Sequence, residues 1–229
     1  MTTRHISTAF DNDLDELDHL IGKMGNLALS QFIAVIEGMG QKDEDLKSLI
    51  ANDRHIDQIE IEVYNKTVEI IAIRAPQAND LRLIIIAPKI ASFFERIGDY
   101  SKNIIKRRSM MINEGDDLAI LSKLDKMSLM AREMLVDVLD ALTRRDAAKA
   151  KSSWEADTDL DALHSQVYKE IYHSMVENGA NPSGIHALFI AKNIERIGDF
   201  CTSIAEQVYF VVHGNMLDAD RPKSDITSS

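Results

Sequence analysis

IIAPKIASFFERIGDYSKNI (residues 85–104) and IHALFIAKNIERIGDFCTSI (residues 185–204) are two copies of one segment. They align without a gap at an offset of 100 and share ten of twenty residues, the whole ERIGD block among them. Such a match marks an internal duplication, and the duplicated unit is then the structural unit of the chain. The flanking sequence says what that unit is made of. Residues 41–75 and 116–178 contain neither Gly nor Pro. Within them apolar residues recur at intervals of three and four. One run reads Ile56, Ile59, Val63, then Val68 and Ile71; the other reads Leu121, Leu124, Met127, then Met134, Leu135, Val138 and Leu142. That is the period of amphipathic helices.

The spacing predicts six helices, over 6–39, 44–74, 78–112, 116–142, 146–178 and 183–213. The breaks have local causes. Gly38, Gly40 and Asp43 end the first helix and cap the next. Pro76 in RAPQAND (74–80) stops the second, and ENGANPSG (177–184) is the corresponding turn of the second half. A helix over 146–178 spans roughly 50 Å, and helices of that length with short connections pack as antiparallel bundles. The expected fold is all-α: two tandem antiparallel three-helix bundles, residues 1–113 and 114–213, with NEGDD (113–117) at the seam. Residues 214–229 read as a mobile polar tail.

Composition excludes several classes. Among 229 residues, 37 acids against 26 bases leave a net charge of −11, which argues against a nucleic-acid binder. A single Cys forms no internal disulfide. Ten Gly and four Pro are too few for a turn-rich β-sandwich. The most apolar stretch is LRLIIIAPKIASFF (81–94), which is short of the roughly 20 residues a span needs and carries Arg82, Pro88 and Lys89. With no apolar segment at the N-terminus either, the expectation is a cytoplasmic protein without a membrane span.

The repeated segment also carries the candidate site. Glu95 and Asp99, and Glu195 and Asp199, stand four apart and stack two carboxylates on one helix face. The preceding helix of each half carries Asp53 and Asp57, and Asp157 and Asp161. In a helical hairpin, residues equidistant from the turn sit at one height. Asp53 pairs with Asp99 and Asp57 with Glu95 about residue 76, the turn proline. Asp157 pairs with Asp199 and Asp161 with Glu195 about residue 178. Each hairpin thus brings four carboxylates to one level. Arg96 and Arg196, about 100° around the helix, look poorly placed to neutralise them. A bound cation is the simplest neutraliser. Oxygen donors alone suit iron, manganese or magnesium in preference to zinc, and carboxylates on adjacent turns can bridge more than one ion. The alternative is that the acids are solvated or paired with Lys and Arg.

Other constellations carry less. Glu16/His19 and Glu170/His173 have the Glu-x-x-His spacing of di-iron bundles but fall in different halves. Arg107–Arg108 and Arg144–Arg145 read as solvated charges near helix ends, or as a docking patch for an acidic partner. Cys201, Met127, Met130 and Met134 read as core. No catalytic set accompanies the acids, so a non-enzymatic regulator leads. A carboxylate-bridged metal enzyme and a metal-free helical scaffold are the alternatives.

The chain resembles the PhoU family. The resemblance spans nearly the whole sequence: LIGKMGNLALSQF (20–32), QKDEDL (41–46), DRHIDQIE (53–60), RAPQANDLR (74–82) and both ERIGD blocks. It implies two three-helix bundles whose acid-x-x-x-Asp motifs hold multinuclear metal clusters, here at Asp53, Asp57, Glu95, Asp99, Asp157, Asp161, Glu195 and Asp199. It further implies a regulator of phosphate uptake and phosphate-starvation signalling. Its partners would be the ATPase subunit of the phosphate transporter and the sensor histidine kinase, with membrane contact only through them. Long acidic helices also suggest a homodimer. Two departures stand out: Tyr100 and Phe200 follow ERIGD where many members have His, and Pro88 lies inside the third helix.

Overall fold

The computed structural model describes residues 8–38, 53–112, 118–179 and 182–217. Six helices follow in order among them: α1 (Thr8–Gly38), α2 (Asp53–Arg74), α3 (Ala78–Ile112), α4 (Leu118–Arg144), α5 (Ala147–Asn178) and α6 (Pro182–His213). The expected starts at 44 and 116, the seam at 113–117 and the tail from 218 onward fall outside the described residues. The tail does not begin loose at residue 214, because Leu217 packs against the core.

The turns differ between the halves. In the first, Pro76 cannot continue a helix, and Ala75 and Ala78 on either side of it adopt φ of 47° and 49°. In the second, Gly179 takes a φ of 88°, which costs glycine nothing. Between α4 and α5 the Asp146 carboxylate accepts from the Ala148 and Lys149 amides at 3.0 Å, which caps α5. Pro88 does not break α3, which runs continuously through it.

Each helix buries a stripe at helical spacing, and the stripes meet in one core. Leu17, Met24, Ala28 and Phe32 of α1 are fully buried, as are Ile90, Phe94, Ile97 and Ile104 of α3. Ile190, Ile194, Ile197 and Ile204 of α6 are buried likewise, and Cys201 and Met127 are core as expected. A single apolar cluster joins all six helices. One expectation fails here: Val68 and Ile71 do not extend the buried stripe of α2. They are exposed, and Thr67 and Ile70 face inward instead. Residues 81–94 are not the segment that comes nearest to a membrane span. By length and composition α1 is long and apolar enough to span, with a window of mean hydropathy 1.2. Its apolar stripe is buried among the other helices.

The helices form a layered arrangement. α1, α3, α4 and α6 occupy the middle, where α3 packs along α6 and α1 along α4. Among the described residues α2 touches only α1 and α3, and α5 touches only α4 and α6, so these two are the outer flanks. α3 and α6 run antiparallel. Arg82 lies against Gly214 at one end, and the Arg107 guanidinium sits 4.3 Å from the Phe189 ring centroid at the other. Between them Tyr100 meets Phe200 with ring centroids 5.8 Å apart. Both follow an ERIGD block, so equivalent residues of the two halves touch each other. Contact between equivalents is the mark of a two-fold relation.

Candidate metal centres on the two flanks

The glycine of each ERIGD block reports the hairpin register. A Cβ on Gly98 would lie 3.2 Å from Ile56, and one on Gly198 would lie 2.9 Å from an Asp157 oxygen and 2.5 Å from Leu160. These neighbours agree within about a residue or two with levels centred on residues 76 and 178. The structure therefore places the acids of α2 at the height of those of α3, and those of α5 at the height of α6. The Asp53 side chain lies outside the described residues.

In the first half the level is wet. Asp57 is exposed. The Glu95 side chain is 21% exposed and its Oε2 lies 3.6 Å from Arg96 Nε, so this arginine reaches the carboxylate face, contrary to expectation. Partial burial pushes its carboxyl up to about 7, and the adjacent Asp99 carboxylate and Glu60 push the same way against the opposing Arg96. Asp99 pairs with Lys102 at 2.8 Å. Glu60 was not among the expected site residues, although it stands one turn beyond Asp57.

In the second half the level is buried. Asp157, Asp161 and Glu195 are 1%, 3% and 4% exposed. Glu195 accepts from Lys192 Nζ at 2.7 Å through Oε1, while its Oε2 is buried without a hydrogen-bond donor. Asp199 accepts from Arg196 at 3.3 Å, so this arginine does reach the carboxylate face, contrary to expectation. His164 is buried one turn beyond Asp161, at the position the duplication aligns with Glu60. The duplication itself was the available signal for both residues.

Among the described residues no three His, Cys, Asp or Glu side chains converge as a metal-holding group. What the structure does bring together is a carboxylate pair, Glu95 with Asp99 and the field of Glu60, and a buried set on α5 and α6. Cations at three residues' distance, Lys102, Lys192 and Arg196, occupy part of the carboxylate oxygens.

The weaker constellations resolve into packing. Glu16 pairs with Lys66 at 2.6 Å and Glu170 with Lys123, which removes the Glu-x-x-His reading of both. The arginine pairs are not simply solvated. Arg107 stacks on Phe189, Arg108 is buried, and Arg144 and Arg145 each pair at 2.7 Å, with Asp140 and Asp18. A cavity of about 750 Å³ opens between α1, α3, α4 and α6, but none of the eight carboxylates lines it.

Comparison with known proteins bears on both halves. The PhoU domain model matches twice, at residues 21–107 and 124–208. A phosphate-specific transport system accessory protein PhoU homolog of Caulobacter vibrioides is 34% identical over 99% of each chain. The crystal structure of PhoU from Pseudomonas aeruginosa superposes with a TM-score of 0.86 at 27% identity, covering 90% of this chain and 100% of that one. The phosphate transport system regulatory protein PhoU from Streptococcus pneumoniae superposes with a TM-score of 0.83 at 27% identity, covering 91% and 99%.

Proposed function

Because the chain belongs to the PhoU family, with an accessory, regulatory role in phosphate transport, we propose the following mode of action. The protein is a non-enzymatic regulator that damps phosphate uptake and phosphate-starvation signalling. It acts in the cytoplasm, as a homodimer, by docking on the ATPase subunit of the phosphate transporter and on the sensor histidine kinase. Metal ions held on the two flanks set its docking-competent form.

The residues fit a hard cation in donor type and in charge. Asp57, Glu60, Glu95 and Asp99 would hold it on the first flank together with Asp53. Asp157, Asp161, Glu195 and Asp199 would hold it on the second. Iron, manganese or magnesium matches oxygen donors of this kind better than zinc does. The ion would supply charge neutralisation and cross-link the hairpin. The observation that carries this reading is Glu95, whose carboxyl is pushed up to about 7 by burial and by like charges. Such a carboxyl is only partly ionised at neutral pH, and a bound cation would favour its ionised form. Glu195 supports it with a buried oxygen that has no hydrogen-bond donor. On loading, the lysine ends now on Asp99 and Glu195 give way to the ion.

Two measurements test the proposal. Metal content of the purified protein is compared with Asp99→Ala plus Asp199→Ala; stoichiometric iron, manganese or magnesium, lost in the double variant, is expected. Binding to the purified ATPase subunit and to the solubilised kinase is then measured with loaded and chelated protein. Metal-free protein that binds both partners equally well would remove the ion from the mechanism and leave docking charges in its place.

A further inference from the structure

The duplication lets the two flanks be compared residue by residue. α5 aligns with α2 at an offset of 104, which sets Asp157 on Asp53, Asp161 on Asp57 and His164 on Glu60. α6 aligns with α3 at an offset of 100, which sets Glu195 on Glu95, Asp199 on Asp99 and Lys192 on Ser92. The eight acids are thus identical in type from one flank to the other. Two exchanges beside them are not: Glu60 becomes His164, and Ser92 becomes Lys192. The first flank offers five carboxylates, and the second offers four carboxylates and an imidazole.

Both exchanges fall at one height. In the hairpins centred on residues 76 and 178, Glu60 is level with Ser92 and His164 with Lys192. That height is one turn from the carboxylates. On the first flank the Glu60 charge acts on the Glu95 carboxyl. On the second, Asp157, Asp161 and His164 follow one another at four and three residues, so they share a stripe of α5. The stripe faces α6, because an Asp157 oxygen lies 2.9 Å from where a Cβ on Gly198 would stand. His164 is 3% exposed, so its ring lies inside the packed helices and not in solvent.

Each exchange changes which ion a flank can hold. Carboxylates alone suit magnesium and manganese, whereas an imidazole raises affinity for zinc and ferrous iron more than for these. The lysine adds a threshold. Lys192 Nζ is 2.7 Å from Oε1 of Glu195, whose side chain is 5% exposed, and Oε2 of the same carboxylate is buried without a hydrogen-bond donor. An incoming ion has to displace an ammonium seated on a buried carboxylate, so a weakly held ion stays out. On the first flank Lys102 sits on Asp99, whose side chain is 36% exposed, and water takes its place at little cost.

We propose that the two flanks take different ions: the first a hard divalent cation of the magnesium or manganese class, the second a borderline cation of the zinc or ferrous iron class, with His164 as its nitrogen donor and the residue that sets the preference. This rests on the reading of the flanks as metal centres and adds one ligand to the second. His164 selects the ion, and Lys192 sets how tightly an ion must bind to enter. One chain then responds to two different ions, each at its own flank.

The test isolates each flank in the full chain. Asp99→Ala leaves the second flank complete, and Asp199→Ala leaves the first. Each protein is stripped with chelator and dialysed against manganese, against zinc and against both, and bound metal is counted. The zinc-to-manganese affinity ratio should be about tenfold higher at the second flank than at the first. His164→Gln in the Asp99→Ala chain should bring the ratio down to that of the first flank. Glu60→His in the Asp199→Ala chain should raise it, and because Glu60 is only half-buried this variant serves even where His164→Gln does not fold. Lys192→Met should tighten both ions at the second flank and leave their ratio unchanged. Cobalt loaded on the second flank should give a paramagnetically shifted imidazole proton signal that His164→Gln removes; a merely structural histidine gives none. Equal ratios at the two flanks, or a ratio at the second flank that a folded His164→Gln chain keeps, would overturn the proposal. Uptake of neither ion by either flank defeats the metal reading, and the ion preference with it. Uptake at both flanks with one common ratio defeats only the ion preference.

Discussion

The same acid-x-x-x-acid pairs stand in a wet environment on one flank and a dry one on the other. On α2 and α3 Asp57 is exposed and the Glu95 side chain keeps 21% of its surface in solvent. On α5 and α6 Asp157, Asp161 and Glu195 are all but buried. The difference goes with the side chains that crowd the ERIGD glycine. Beside Gly98 the space is filled by Ile56 at 3.2 Å, whereas beside Gly198 Leu160 and Asp157 come to 2.5 and 2.9 Å from where a Cβ would stand. One duplicated motif can therefore present two chemically distinct sites.

The sharpest way to break this comparison is to add a methyl group at each glycine. Gly198→Ala forces Leu160 and Asp157 aside within packed surroundings and should cost about 1–3 kcal/mol in urea denaturation. Gly98→Ala meets only the flexible end of Ile56 and the Gln31 amide at 3.4 Å. It also gains up to about 1 kcal/mol of helix propensity, so it should be close to neutral. Equal losses at both positions would show that spacing is not what separates the flanks.

Lysine removal probes the same contrast through charge. Lys192 is the donor to buried Glu195, so Lys192→Met leaves a buried carboxylate short of its cation and should cost about 1–2 kcal/mol. Lys102 serves Asp99, whose side chain is 36% exposed, and Lys102→Met should cost under about 1 kcal/mol because water takes over. Chemical denaturation at neutral pH in the presence of chelator reads both.

A third probe of the first flank is pH. Glu95 binds a proton more tightly in the folded state, with its carboxyl at about 7, than at the ordinary 4.5 of the unfolded chain. Between those values the folded state holds more protons, so stability falls as pH rises through the window and levels off above it. Glu95→Gln should flatten that part of the profile, seen as a difference between variant and wild-type melting temperatures that shrinks as pH falls from about 7 toward about 5. A profile of unchanged slope would mean that Glu95 is well solvated and that the first flank is wetter still.

The sequence carried the architecture well and the site only in part, for separable reasons. Gly and Pro punctuate this chain so sparsely that five of the six helices begin or end within two residues of expectation wherever both are described. The register was legible because Pro76 and the ENGANPSG turn locate the hairpins, and residues equidistant from a turn must meet. Burial of the carboxylates was not legible. It depends on whether Ile56 or Leu160 fills the gap between two helices, and the acid-x-x-x-acid spacing is the same either way. Val68 and Ile71 misled for a related reason, since helical spacing tells that residues share a face but not which face the bundle covers. Lys102 and Lys192 stand one turn from the acids they pair with, and spacing alone does not say which carboxylate a flexible lysine end reaches.

The meeting of Tyr100 with Phe200 has a bearing on descent. Two equivalent residues in contact are what a symmetric pair of separate chains would show at its dyad, so the molecule has the form of a homodimer fused into one polypeptide. In a true homodimer every substitution is written twice, once on each subunit. Fusion ends that bookkeeping, and the tyrosine and phenylalanine at the dyad are its visible trace. It is also what allowed Glu60 on one flank to answer to His164 on the other.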